Sequence, residues 1–191
     1  MKLKHQASLT SPTEGATIRV TSLVWSPNGK RLAVCTSDRV VWMFDENGVR
    51  KDKFATKPNQ GGPKNYIVRA MAFSPGSDKL AIAQSDNMLF VYKLGAEWGD
   101  KKTICNKFGE KSSITCVCWP SKRDPTYGTA EGKVVLGKLV GNKAMTLYNT
   151  ESYVTVVSSN TDGTCIVAGH LDGTIRLFTY EGTHPHGHHR D

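Results

Sequence analysis

The sequence predicts an all-β protein built from blades of a β-propeller, and three observations carry that prediction. First, four segments repeat one plan: an alternating run, a turn of Ser, Pro, Asn, Asp or Gly, a second apolar run, a polar turn with an acidic residue, and a third apolar run. Second, the acidic turn residues Asp38, Asp86, Glu131 and Asp172 stand 48, 45 and 41 residues apart, at or slightly above the period of roughly forty residues expected for propeller blades. Third, the runs alternate with period two, as where Leu32 and Val34 alternate with Ala33 and Cys35, and helical periodicity never lasts a helix length.

The first unit, IRVTSLVWSPNGKRLAVCTSDRVVWMFD, runs from Ile18 to Asp45. Its SPNG turn is Ser26–Gly29, where Pro fixes φ and Asn or Gly accepts conformations that other residues resist. Past Asp38, β-branched and aromatic residues mark a strand, and VRKDKFATK (Val49–Lys57) supplies a polar outer strand. The second unit runs from Tyr66 to Lys93, turns at SPGSD (Ser74–Asp78), and takes Lys101–Gly109 as its outer strand. The third, Ser113–Gly137 with the outer strand Lys143–Asn149, is degraded. In the fourth, Tyr153–Phe178, TDG (Thr161–Gly163) occupies the turn position. There GHLDGTIRLF places Asp172 to accept hydrogen bonds from backbone amides of its turn, Gly173 to relieve the backbone, and Ile175 and Leu177 to enter an inter-blade layer. Lys-rich outer strands suit a wetted rim whose edges must not pair.

This organisation gives a partial propeller over residues 1–180, with units at about 18–57, 66–109, 113–149 and 153–180, and a His-rich flexible tail over 181–191. With no closure strand visible after the fourth unit, the expected object is roughly half of a larger ring, the alternatives being a complete four-bladed ring or an open stack. Lys2–Thr10 is assigned as an outer strand for the last blade of the full ring.

Composition narrows the function classes. The chain has 191 residues, 38 % hydrophobic and 22 % charged, which is enough apolar material for a core. No run approaches the roughly 18 apolar residues that cross a bilayer, and MKLKHQASL lacks a secretory apolar core, so a cytosolic or nuclear compartment is expected. Five scattered cysteines suit a reducing compartment. Cys116 and Cys118, on one face of a strand, read as buried side chains, because no further metal ligands accompany them. His184, His186, His188 and His189 read as a non-specific chelating tail. There is no phosphate-binding Gly loop, and the acidic residues recur in every unit, as structural turns do and a single catalytic site does not. No enzyme, cofactor or metal centre is expected.

The net charge of +8 favours an acidic protein surface as partner, a membrane surface only weakly, and nucleic acid not at all, since no recognised binding fold accompanies it. Trp25, Phe73 and Trp119, each just before a turn, read as inter-blade packing. Trp98, in GAEWGD between two units, reads either as a loop anchor or as a protein contact; with Lys101 and Lys102 it forms the candidate partner surface.

Several strings then carry a resemblance: CTSDRVVWMFDENGVRKDKFATKP (Cys35–Pro58), AMAFSPGSDKLAIAQSDNMLFVYKLGAEWGDKKTICNKF (Ala70–Phe108), GTAEGKV, TESYV and GHLDGTI. Together they resemble the N-terminal WD40 region of the largest peripheral subunit of the intraflagellar transport B complex, most specifically through LGAEWGDKKTICNKF. The resemblance implies a long protein in which propellers precede helical repeats. It also implies a non-enzymatic scaffold that binds other subunits of that complex, serves cilium assembly and axonemal cargo transport, and resides in the cilium and the cytoplasm around the basal body. The alternative is a generic WD40 adaptor of a cytosolic or nuclear complex. The third strands depart from the generic Trp-Asp ending, with Phe44 and Asp45, Tyr92 and Lys93, Gly137, and Phe178 and Thr179.

Overall fold

The structure, a computed structural model, describes residues 1–9 and 17–180. Among the described residues, fifteen strands form four antiparallel sheets, each a meander in chain order. Blade 1 holds β1 (Val20–Trp25), β2 (Leu32–Thr36), β3 (Val40–Phe44) and β4 (Arg50–Ala55). Blade 2 holds β5 (Val68–Phe73), β6 (Lys79–Gln84), β7 (Met88–Lys93) and β8 (Thr103–Gly109). Blade 3 holds β9 (Ile114–Cys118), β10 (Thr126–Thr129), β11 (Lys133–Lys138) and β12 (Lys143–Asn149). Blade 4 has three strands, β13 (Val154–Ser159), β14 (Cys165–His170) and β15 (Ile175–Thr179).

Period-two alternation decides which side chains meet. In blade 1, Val24, Ala33 and Met43 share a face through the strand register, and this face packs on Met71, Phe73, Ile82, Phe90 and Tyr92 of blade 2. The opposite face of blade 2, with Ala81, Leu89, Val91 and Phe108, packs on Ile114, Tyr127 and Val135 of blade 3. Cys116 and Val134 then face Val154, Val157, Ile166 and Ala168 of blade 4. Burying each large apolar side chain in these layers contributes about 1.5–3 kcal/mol.

The same hydrogen bonds recur at each start of a blade. The amides of Ser37, Ser85, Ala130 and Leu171 donate to the carbonyls of Arg19, Ile67, Ser113 and Tyr153 at 2.8, 3.0, 2.9 and 2.9 Å. One residue past each acidic turn residue the backbone is left-handed: Arg39 (φ 66°), Asn87 (φ 71°), Gly132 (φ 101°) and Gly173 (φ 86°). Gly at the last two avoids the Cβ repulsion, about 1–2 kcal/mol, that Arg39 carries.

The end blades differ from the interior ones. Leu23 and Trp25 are 62 % and 48 % exposed on the face of blade 1 turned from blade 2, and Val156, Ile175 and Leu177 are 55 %, 77 % and 69 % exposed on the face of blade 4 turned from blade 3. Ile175 and Leu177, expected in an inter-blade layer, are therefore exposed among the described residues. Alternation puts them opposite Ile166 and Ala168, which face blade 3. Phe73 is buried and Trp119 half-buried in inter-blade layers, as expected, whereas Trp25 lies on the open face. Residues 1–9 form no strand, and Thr10 and the His-rich stretch 181–191 lie outside the described residues.

Candidate interaction surface at the rim of blades 1 and 2

The acidic turn residues occupy equivalent corners but bond differently. Asp172 Oδ1 accepts the Thr174 amide at 2.9 Å and its hydroxyl at 2.7 Å, within its own turn. Asp38 accepts the Thr36 hydroxyl, and Glu131 pairs with Lys133 at 2.9 Å. Asp86, buried to 1 % exposure, reaches out of its turn: Oδ2 accepts the Asn59 amide at 2.8 Å and Oδ1 the Gln84 side-chain amide at 3.0 Å. The backbone that Asp86 caps thus belongs to the connector between blades, not to its own turn.

Two residues before each acidic corner stands a buried polar residue: Thr36, Gln84, Thr129 and His170. Gln84 donates to the Lys57 carbonyl at 3.1 Å. His170 sets Nδ1 2.9 Å from the Ser152 carbonyl and Nε2 2.7 Å from the Tyr148 hydroxyl. In blades 2 and 4 this residue ties the blade to the connector arriving from its predecessor. Asp86→Ala leaves the Asn59 amide and the Gln84 amide group short of an acceptor, a cost of about 1–3 kcal/mol. Hydrogen exchange at residues 57–60 should accelerate before any global loss of protection; unchanged rates would remove Asp86 from this role.

The loop between β7 and β8, carrying LGAEWGDKK, folds back over blade 1. Trp98 is half-buried against the core between blades 1 and 2, with the Arg31 guanidinium 4.8 Å from its ring centroid. Arg31 Nη2 also donates to the carbonyls of Gly95 and Ala96 at 3.2 and 2.9 Å. Asp52, on β4, accepts the Gly99 amide at 3.0 Å and forms an ion pair with Lys102, whose Nζ also donates to the Asp100 carbonyl at 2.7 Å. The side chains of Lys102 and Asp52 are only 7 % and 13 % exposed. Burial alone would raise the Asp52 carboxyl, but hydrogen bonds from Lys102, Gly99 and Lys53 outweigh it and hold it below the ordinary 3.8.

Trp98, Lys101 and Lys102 consequently do not form one exposed patch. Trp98 packs half-buried against the core between blades 1 and 2, Lys102 is turned inward to Asp52, and Lys101 faces solvent. The inward turn of Lys102 follows from two oxygen acceptors at its tip, which compensate an ammonium drawn out of water. Arg31 and Asp52 are the residues that sequence reasoning missed. A signal for Asp52 was present: it is the one acidic residue in the Lys-rich strand VRKDKFATK.

The thiols are all free: Cys35 and Cys116 are buried, Cys118 and Cys165 half-buried, and Cys105 exposed. Burial pushes Cys35 up to about 11 and Cys118 up to about 12, so neither is a thiolate near neutral pH.

A family profile described as "WD domain, G-beta repeat" matches residues 4–45 and 141–179. Over 183 residues, 95 % of the chain, the sequence is 50 % identical to "Intraflagellar transport protein 172 homolog" of Mus musculus. The chain is a WD40-type propeller region homologous to intraflagellar transport protein 172. It is also 45 % identical over 190 residues, 94 % of the chain, to "Intraflagellar transport protein 172" of Chlamydomonas reinhardtii. The chain spans about a tenth of the length of these relatives, 10 % and 11 %. In fold it is similar to the Cps50 (Swd1) β-propeller domain of Myceliophteria thermophila, with a TM-score of 0.69 and 11 % identity, covering 85 % of this chain and 54 % of that one.

Proposed function

We propose that this chain is part of a non-enzymatic scaffold of the intraflagellar transport B complex. It serves cilium assembly and cargo movement along the axoneme through contacts with other subunits, in the cilium and the cytoplasm around the basal body. The observation that carries this reading is the 50 % identity across 95 % of the chain to a protein named for intraflagellar transport. The rim supports it as well, since Asp86, Arg31 and the Asp52–Lys102 pair hold connectors and loops in place, which suits a stiff platform for protein contacts.

The four sheets belong, in this reading, to a larger ring, with the units at about 18–57, 66–109, 113–149 and 153–180 as successive blades. Three observations support that. Among the described residues both end blades bear exposed apolar faces and blade 4 has three strands, and the chain covers 54 % of a β-propeller domain of similar fold. The phase of the repeat supports the same reading for the N-terminal segment. The matched stretch 141–179 begins just before the outer strand β12 and ends with β15, whereas the stretch 4–45 has the N-terminal segment where that outer strand would be. In this reading that segment, whose residues 1–9 are in no strand within this chain, supplies an outer strand to the last blade of the full ring.

Tagging the full-length protein at its endogenous locus tests the ciliary assignment. It should accumulate in cilia and around basal bodies, and its removal should abolish cilium assembly. Exclusive nuclear residence with intact cilia would overturn the assignment in favour of an adaptor elsewhere.

A further inference from the structure

A cavity of about 710 Å³ opens at the rim between blades 1 and 2. Its walls are the connector after β4, beginning at Lys57, and the outer strand β8. Met88 and Phe90, 8 % and 5 % exposed, form an apolar floor that continues onto Ile104, 38 % exposed. The only ionisable side chains among its lining besides the Cys105 thiol are two cations, Lys57 and Lys107. Both are exposed, and among the described residues neither is in an ion pair.

The backbones that carry these cations are pinned from elsewhere. The Lys57 amide donates to the Tyr92 hydroxyl at 2.9 Å and its carbonyl accepts from Gln84 at 3.1 Å, while the neighbouring Asn59 amide is held by Asp86 at 2.8 Å. Across the groove, the Lys107 amide donates to Asn142 Oδ1 at 3.0 Å. Asn142 belongs to the turn between β11 and β12, so it also occupies the middle of the β8 edge. Strand addition along β8 is thereby obstructed, and an occupant must enter by its side chains. An apolar floor flanked by two exposed, unpaired lysines on fixed backbones suits a ligand that is apolar at its centre and anionic at its flanks.

We infer that this groove is a docking site for an acidic protein segment that inserts a large apolar side chain over Met88, Phe90 and Ile104 while flanking carboxylates meet Lys57 and Lys107. The inference rests on the scaffold reading above but not on the ciliary assignment. Its occupant is a segment of another protein, on the ground of charge complementarity: the groove offers positive charge only, and the chain as a whole carries +8.

The test uses the full-length protein and two fluorescein-labelled peptides, Asp-Glu-Phe-Glu-Asp-Leu and its charge-reversed counterpart Lys-Lys-Phe-Lys-Lys-Leu. Cys105 lines the groove and is exposed, so its alkylation by iodoacetamide, read by mass spectrometry, reports occupancy locally. The acidic peptide should bind saturably, protect Cys105 and weaken as salt rises, and the basic peptide should do none of these. Lys57→Glu with Lys107→Glu should lower affinity for the acidic peptide by about tenfold or more, with hydrogen exchange in β6 and β7 unchanged. Ile104→Ser should weaken it without altering the salt dependence. Absence of binding, equal binding of both peptides, or full affinity in the double lysine variant would overturn the inference. Continued assembly of the full-length protein with its partners under those outcomes would leave the scaffold reading standing and remove only this groove.

Discussion

Gly128→Val is expected to break the junction between blades 3 and 4, at a cost of about 3 kcal/mol or more. Gly128 lies in the middle of β10, with Cys116 beside it on β9 and Val134 on β11. A Cβ built there would come within 2.4 Å of Val154 Cγ1, 2.6 Å of Val154 Cβ and 2.7 Å of Cys116 Sγ. None of these atoms can retreat easily. Val154 is fully buried, its carbonyl accepts the Thr115 hydroxyl, and Cys116 is held in the same apolar layer. Relief therefore requires the two sheets to separate, which exposes Val134, Val157, Ile166 and Ala168 together. Amides in β13 and β14 should exchange about a hundredfold faster or more, since each 1.4 kcal/mol is a factor of about ten. Gly128→Ala combined with Val154→Ala should recover part of the loss, because it trades volume across the same gap. Wild-type protection in Gly128→Val would mean that blades 3 and 4 do not pack as described.

The elements legible in the sequence are those whose cause is local and repeated. A left-handed corner after Asp38, Asp86, Glu131 and Asp172 recurs in every blade, and period-two alternation assigns each strand its faces. The expectation of an all-β WD40-type propeller with about four blades therefore agrees with the sheets and the family match. What the corners do was less legible. Asp86 and Asp172 look alike in sequence, yet the Asp86 carboxylate holds the connector at the Asn59 amide while the Asp172 carboxylate holds its own Thr174, and the connector at Ser152 meets the Asp172 amide instead. The rim was the least legible part. Lys101 and Lys102 are adjacent and identical in type, and only the path of the loop over blade 1 decides that one meets Asp52 and the other meets water. That path depends on Arg31, which lies 65 residues from the Ala96 carbonyl it holds, a separation no local pattern encodes.

Lys102→Met is expected to destabilise the junction of blades 1 and 2 by about 3 kcal/mol near neutral pH, because removing one member of a nearly buried pair leaves the other charge uncompensated. Asp52 would then keep the Gly99 amide but lose its cation, and the loop carrying Trp98 would lose one of its two fastenings to β4. Replacing both partners, Asp52→Leu with Lys102→Met, should restore most of the loss, since no buried charge remains to be solvated. The pH dependence has a definite sign. In the wild type the Asp52 carboxyl is held below its ordinary value, so its stabilisation is present above the unfolded carboxyl pKa of about 3.9 and disappears as pH falls through the lower folded value. In Lys102→Met the carboxyl loses the largest of the bonds that oppose its burial, so its value rises relative to the wild type and less stability is lost when it is protonated in acid. The gap in stability between the two proteins should be widest near pH 7 and should close below about pH 4. Urea unfolding followed across that range, with hydrogen exchange at residues 95–104 as the local readout, checks both the magnitude and the sign. A gap that stays constant with pH would show that Lys102 stabilises the loop through packing of its alkyl stem. Full stability in the single variant would show that the ion pair does not hold blade 2 to blade 1.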